Sequence, residues 1–238
     1  MVRGRSLAPK SGPAPGAAPA SSPHRGRFDL AEFIAANLPL RPVPSVPEIV
    51  IHAAGPASGL WRLARRRDDA DPPYWAYPWA GGAALARYFF DRPETVRGRC
   101  VLDIGAGSGV VAIAAAKCGA EKVAAADTDE NALVALSLNA AANNVAIETI
   151  AGDLTKGAPP AIDLIAVGDL FYERDLAERV TAFLDRCLTA GLEILVGDVG
   201  RAYLPRPRLR LLAEYPVRDF GDGANAARKP AGVFAFEA

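Results

Sequence analysis

From Arg99 onward the chain alternates short apolar runs with longer amphipathic ones, and that alternation leaves few folds open. "CVLDI", "KVAAAD", "AIETIAG", "IDLIAVGD" and "LEILVGD" read as strands, while "GVVAIAAAKC", "ENALVALSLNAAANN" and "RDLAERVTAFLDRCL" read as helices between them. A strand that is apolar along nearly its whole length belongs in a parallel sheet covered on both faces, since each face then accepts its residues into a core. The expected fold is doubly wound α/β with a mostly parallel seven-stranded sheet. Its last two strands, "LRLLAEYPV" and "AGVFAFEA", have no helical pattern between them and are expected to form an antiparallel hairpin at one edge.

Ahead of this core the pattern is weaker. Residues 1–27 are rich in Ala, Pro, Ser, Gly and Arg without one acidic residue, and are expected to be a disordered tail. Organellar transit peptides share that bias, so a cytoplasmic location is expected, or the mitochondrial matrix if the tail is a transit peptide. Residues 28–92 are expected to hold a short helix from Phe28 to Leu38 and an extended connector through Pro39, Pro42, Pro44 and Pro47. A hairpin of Glu48–His52 with Leu60–Ala64 and a covering helix in "AGGAALARYFF" follow. Residues 93–238 are expected to form the main domain.

Composition excludes several functions. Lys plus Arg and Asp plus Glu both number 27, so no basic excess is available to track a phosphate backbone. Cys100, Cys118 and Cys187 lack metal-type spacing and His24 and His52 are the only histidines, which argues against a metal site and against a Ser–His pair. Lys117, Glu121 and Lys122 interrupt the most apolar region, so no membrane span is expected. The expectation is a soluble monomer with no nucleic-acid or membrane partner. "DPPY", residues 71–74, matches a tetrapeptide of enzymes that methylate DNA base amines. There it must follow the fourth strand, whereas here it precedes the first, so it reads as a coincidence of letters.

In open α/β sheets a ligand lies beyond the carboxyl ends of the strands, where strand order reverses. "VLDIGAGSG" places Gly105, Gly107 and Gly109 in a tight turn there, but Val110 stands where a dinucleotide fingerprint needs its third glycine. Asp103, Asp127, Asp153 and Asp169 all fall at strand ends, so four carboxylates are expected around one crevice with nothing basic between them. Carboxylates repel phosphates at short range. A ligand offering hydroxyls, amines and positive charge fits better, and S-adenosylmethionine offers all three: a ribose diol for Asp127, an adenine amine near Asp153, an ammonium and sulfonium near Asp103.

The motif "LDIGAGSG" resembles the seven-β-strand S-adenosylmethionine-dependent methyltransferases. "SGLWRLARR", "PYWAYPWAGGAALARYFFDRP", "GDLFYERDLAERV" and "GDVGR" further resemble the lysine methyltransferases of the electron-transfer flavoprotein β subunit, over residues 45–238. The resemblance implies a Rossmann-like class I fold and a protein-lysine N-methyltransferase that uses S-adenosylmethionine and has that flavoprotein subunit as partner. It implies donor binding by Trp79, Asp103, Gly105, Ala106, Gly107, Ser108 and Gly109, then Asp127, Thr128, Asp153, Leu154 and Gly168. "GDLFYE" matches an Asp-x-x-Phe/Tyr pattern of protein methyltransferases, which makes Asp169, Phe171 and Tyr172 the catalytic candidates. A carboxylate draws in a lysine ammonium and orients the neutral amine, while aromatic walls exclude water.

The family's Trp-Pro-Gly-Gly appears here with Ala80 in place of proline. Trp79 is expected over the methionine end of the donor, and Gly81-Gly82 is expected to be a turn leading into the covering helix. Arg201 and the Arg62–Arg67 group are candidates for docking an acidic partner surface. Sheet motifs identify a donor better than an acceptor, so a ribosomal protein or a small amine such as a nicotinamide-like compound stays open as alternative substrate. The Asn-Pro pair of ribosomal-protein methyltransferases is absent from "GDLFY". A catalytically silent donor-binding protein is the third reading, and the intact glycine loop and Asp127 argue against it.

Overall fold

In the computed structural model, residues 29–55, 57–60, 72–218 and 229–238 are described. The N-terminal part holds α1 (Leu30–Asn37), β1 (Leu40–Val43), β2 (Val46–His52) and α2 (Ala80–Asp91). The alternating part runs β3 (Cys100–Ile104), α3 (Val110–Lys117), β4 (Lys122–Asp127), α4 (Glu130–Ala142), β5 (Glu148–Ala151), β6 (Leu164–Gly168), α5 (Arg174–Thr189) and β7 (Glu193–Asp198). Two strands, β8 (Leu209–Val217) and β9 (Lys229–Phe236), complete it. The seven-stranded sheet has the order β5-β4-β3-β6-β7-β9-β8, parallel up to β7, with β9 and β8 antiparallel. This is the doubly wound fold expected, closed by the expected edge hairpin.

The period-2 geometry of a strand explains the uninterrupted apolar runs. Val101, Leu164, Ala166 and Leu195 enter one core with α2, α3 and the small hairpin, while Leu102, Ile165, Val167, Ile194 and Val196 enter the other with Phe183, Leu184 and Cys187 of α5. Strand order reverses between β3 and β6: β4 and β5 extend the sheet one way and β6 and β7 the other. A crevice therefore opens beyond the carboxyl ends of β3 and β6, next to the glycine turn.

The hairpin departs from the sequence expectation. Its partner for β2 is β1, with Leu40 opposite His52 and Pro42 opposite Val50, so the proline-rich stretch taken as a connector is itself a strand. Proline is tolerated there because a two-stranded ribbon has an edge on which no N–H is required. Leu60 lies in a turn, and residues 61–64 of the expected second strand lie outside the described residues. So do the tail and the Arg62–Arg67 group.

Asn139 of α4 and Asn143, which caps that helix, bind this hairpin to the main sheet. Asn143 accepts from Val50 N at 3.1 Å and donates to Val50 O at 2.6 Å, imitating a neighbouring strand. Asn139, fully buried, accepts from His52 N at 2.8 Å and donates to Ser108 O of the glycine turn at 2.9 Å. No helix among the described residues is long and apolar enough to cross a membrane.

Candidate active site

The glycine turn is built from backbone that side chains would obstruct. Gly105, Gly107 and Gly109 have φ of 67°, 51° and 81°, the left-handed region that costs a residue with a Cβ. A Cβ on Gly105 would collide with Leu170, and one on Gly109 would lie 2.8 Å from Leu136. Gly109 thus lets α3 start close to α4. It lines neither of the two cavities, although it was expected among the donor contacts.

Beyond the strand ends lies a cavity of about 560 Å³, lined among others by Trp79, Gly105, Gly107, Asp127, Thr128, Asp153, Leu154, Gly168, Asp169 and Tyr172. An adjoining recess of about 40 Å³ shares Trp79, Gly105, Gly107, Gly168 and Asp169 with it and adds Asp103, Ala106 and Ser108. Three of the four expected carboxylates therefore share the cavity, and Asp103 stands behind it in the recess. The expectation that nothing basic is interleaved with them is overturned. Arg179 and Arg201 line the same cavity, because α5 and the turn after β7 both reach its rim.

The carboxylates differ in their partners. Asp127 accepts from Gly107 N at 2.9 Å and Asp129 N at 2.9 Å, which fixes the turn after β4. Burial pushes its pKa up, against those N–H groups. Asp153 accepts from Thr155 N at 3.0 Å and Thr155 Oγ1 at 2.5 Å, so it caps a short turn. The Thr155 hydroxyl is the main cause holding its pKa below the usual carboxylate range. Asp103 is 1% exposed, accepts from Ala112 N at 3.1 Å, and is pushed up to about 8, chiefly by burial.

Asp169 follows β6 with φ 57°, a conformation uncommon outside glycine and stored at functional sites. Its Oδ1 accepts from Arg201 Nε at 3.0 Å and lies 2.8 Å from Arg201 Nη2. Its Oδ2 accepts from Gly82 N at 2.9 Å. Burial raises its pKa to about 6, with the Arg201 charge pulling against that rise. Arg201, expected on a docking surface, is instead turned inward onto this carboxylate, and its guanidinium carbon lies 5.3 Å from the Trp79 ring centre.

Phe171 is corrected as a catalytic candidate: it is fully buried in the α5-side core with Leu102 and Val167 and lines neither cavity. Its neighbours Leu170 and Tyr172, on either side of it in the turn that leads into α5, do line the large one. Tyr172 meets Tyr74 at 5.9 Å between ring centres, and Tyr74 meets Trp79 at 5.7 Å. Tyr74 thus belongs to the cavity wall, a placement the dismissal of "DPPY" hid. Asp71 of that tetrapeptide lies outside the described residues. Trp79 precedes α2 and donates from Nε1 to Tyr74 O at 2.9 Å.

Gly81 and Gly82 are the first turn of α2 rather than a separate loop. Gly81 is small because the helix end touches the sheet: a Cβ on it would strike Gly197 O and lie 2.7 Å from Asp169 Oδ2. Gly168 is likewise close to Gly82, 3.0 Å from its would-be Cβ to Gly82 Cα. Gly197 was not singled out in the sequence, although the repeated Gly-Asp ending of "LIAVGD" and "EILVGD" was its signal. No cluster of His, Cys, Asp and Glu among the described residues is arranged to hold a metal.

A glycine turn after the first strand of a β5-β4-β3-β6-β7-β9-β8 sheet, facing an acidic residue at the end of the second, defines a Rossmann-like class I methyltransferase. The fold agrees with the crystal structure of a putative RNA methyltransferase from Pyrococcus horikoshii, at TM-score 0.53 and 14% identity, covering 74% of this chain and 94% of that one. The family model for ribosomal protein L11 methyltransferase (PrmA) matches residues 89–167. Longer matches are more specific. The Xenopus laevis electron transfer flavoprotein beta subunit lysine methyltransferase is 37% identical over 200 residues, 82% of this chain and 81% of that protein. The Rattus norvegicus protein of the same name is 38% identical over 177 residues, 72% and 69% of the two chains. The chain belongs to the electron transfer flavoprotein beta subunit lysine methyltransferase family, and it is a methyltransferase.

Proposed function

We propose that the protein transfers a methyl group from S-adenosylmethionine to lysine of the electron-transfer flavoprotein β subunit. The observation that carries the reading is the position of Asp169 and Tyr172: both line the cavity bordered by the glycine turn, in a chain 37% identical to a relative of that activity across 82% of its length.

The residues present fit the donor. A cavity of about 560 Å³ lies within the usual range for small ligands. Gly152, with φ 112° and no atom within 4 Å of a would-be Cβ, leaves open space on its wall. Asp127 would hold the ribose hydroxyls, Thr128, Asp153 and Leu154 the adenine end, and the recess of Asp103, Ala106 and Ser108 the methionine end beneath Trp79. When bound, S-adenosylmethionine supplies an electrophilic methyl on a positively charged sulfur. The protein's own work is placement, because transfer to an amine needs alignment more than a strong base. Tyr74, Tyr172 and Trp79 form an aromatic wall that excludes water and accepts a lysine stem. Asp169 orients the amine through its carboxylate.

The L11-type alternative has less support, since that family model covers only residues 89–167, the donor half. Incubation of the purified protein with labelled donor and the flavoprotein β subunit is expected to label lysine, read by peptide mass spectrometry. No label, with donor binding verified calorimetrically, overturns the proposal.

A further inference from the structure

Strands β6 and β7 end in the same dipeptide, Gly168-Asp169 and Gly197-Asp198, with the two glycines in register. The two aspartates have different duties. Asp198, 1% exposed, accepts through Oδ1 from Gly200 N at 2.6 Å and Arg201 N at 2.7 Å, closing a turn that passes through Gly200 at φ 88°. The turn sends the Arg201 side chain back across the strand ends to Asp169 and the Trp79 face. The pair is enclosed, its side chains 18% and 7% exposed.

We propose that Arg201, aimed by Asp198, is a positioning residue that acts through Asp169: it neutralises the carboxylate, so that the site takes the acceptor lysine as a neutral amine rather than trapping it as an ammonium. The inference rests on the protein-lysine methyltransferase reading. A carboxylate has about four acceptor directions. Arg201 Nε takes one on Oδ1, with Nη2 2.8 Å from the same oxygen as an ion pair, and Gly82 N takes one on Oδ2, which leaves Oδ2 with a direction for an N–H of an amine. An ionised aspartate without the guanidinium would pair with a lysine ammonium in an enclosed site and stabilise its proton. A protonated nitrogen has no lone pair to donate. Arginine remains charged at every working pH, so its neutralising effect is permanent. Among the described residues, the charged groups that share the cavity or the recess with Asp169 are Arg201, Arg179, Glu173, Asp127, Asp129, Asp153 and Asp103, and Asp198 after β7 acts on it as well. Of these, Arg201 alone forms an ion pair with it. In the transfer, the amine lone pair makes the new N–C bond while the C–S bond breaks with its electrons left on sulfur. The surplus proton leaves the product nitrogen for water.

The test compares Arg201→Gln, Arg201→Lys and Asp198→Asn in the full chain. Donor affinity is measured by calorimetry, kcat and KM with the flavoprotein β subunit from about pH 6 to about pH 10, and Asp169 titration by carboxyl ¹³C NMR of the donor-free protein. Arg201→Gln is expected to bind donor within about threefold, to lose kcat on the order of tenfold or more near neutrality, and to regain it as pH rises. The midpoint of that rise should move up by about one unit. Arg201→Lys should restore most of the profile and Asp198→Asn should fall between. The Asp169 midpoint should rise in Arg201→Gln. Equal loss at every pH, or a lysine variant no better than glutamine, overturns the proposal. If the wild type methylates no lysine, the underlying reading fails; an unchanged Asp169 midpoint overturns the electrostatic role independently of turnover.

Discussion

The backbone N–H of Gly82 donates to Oδ2 of Asp169 at 2.9 Å, so the first turn of the covering helix and the carboxylate after β6 form one unit. Helix N-termini carry partial positive charge, and this one is spent on a side chain of the protein itself. The carboxylate's direction is thereby set before any substrate arrives.

Asp169→Asn and Asp169→Ala therefore separate direction from charge. Asparagine tolerates φ near 57° and can still accept from Gly82, whereas alanine does neither well. Turnover is expected to fall on the order of 100-fold in Asp169→Ala and less in Asp169→Asn, with donor affinity within a few fold in both. Thermal melting should show a larger loss for alanine. Wild-type turnover in Asp169→Ala would remove Asp169 from the active site.

Asp103 makes a pH prediction. Its folded pKa is about 8, above the ordinary 3.8, so between these values the folded state holds a proton that the unfolded state has released. Stability from this group is then greatest below about pH 4 and declines as pH rises to about 8. Asp103→Asn should flatten that decline, measured as urea midpoints across pH. Parallel curves for the two proteins would refute it.

The same group should report donor binding. A donor ammonium entering the recess favours the charged carboxylate, which must give up its proton at neutral pH. Binding enthalpies measured at pH 7 in buffers of different ionisation heat should reveal proton release, and Asp103→Asn should abolish it. A buffer-independent enthalpy in the wild type would show that no proton leaves.

Asn139→Leu should loosen the attachment of the hairpin. It leaves the buried Ser108 O, at about 1–3 kcal/mol, and the part-buried His52 N, at less, without the Asn139 side chain. Urea unfolding should register the loss. Donor affinity should drop as well, since Ser108 lies in the turn that borders the recess; a purely structural loss with unchanged affinity would uncouple hairpin from site.

The main sheet was legible because β3, β4, β6 and β7 share one periodicity and a largely buried environment, while β5, mostly exposed at the sheet edge, was read from its place in the alternation. The hairpin was half legible: Pro39 to Pro47 ruled out a helix and implied an extended connector, and only the pairing with β2 shows that part of this stretch is a strand whose edge accommodates proline. At the site, Asp127 and Asp169 were readable as residues at strand ends, but the partner of Asp169 was not. Arg201 lies 32 positions away, and its direction depends on how Asp198 bends one turn. Phe171 and Tyr172 illustrate the remaining limit. Adjacent aromatic letters carry no mark of which faces the ligand until the strand's exit angle is known.

The contact between Gly81 and Gly197 leaves no side chain between the first turn of the covering helix and the end of β7. Clearance there is main chain against main chain, already at its floor. Trimming residues cannot enlarge this end of the chamber, and a single added methyl forces the helix off its seat. Selectivity among acceptors is then open to retuning through Tyr74 and Tyr172, which line the same cavity.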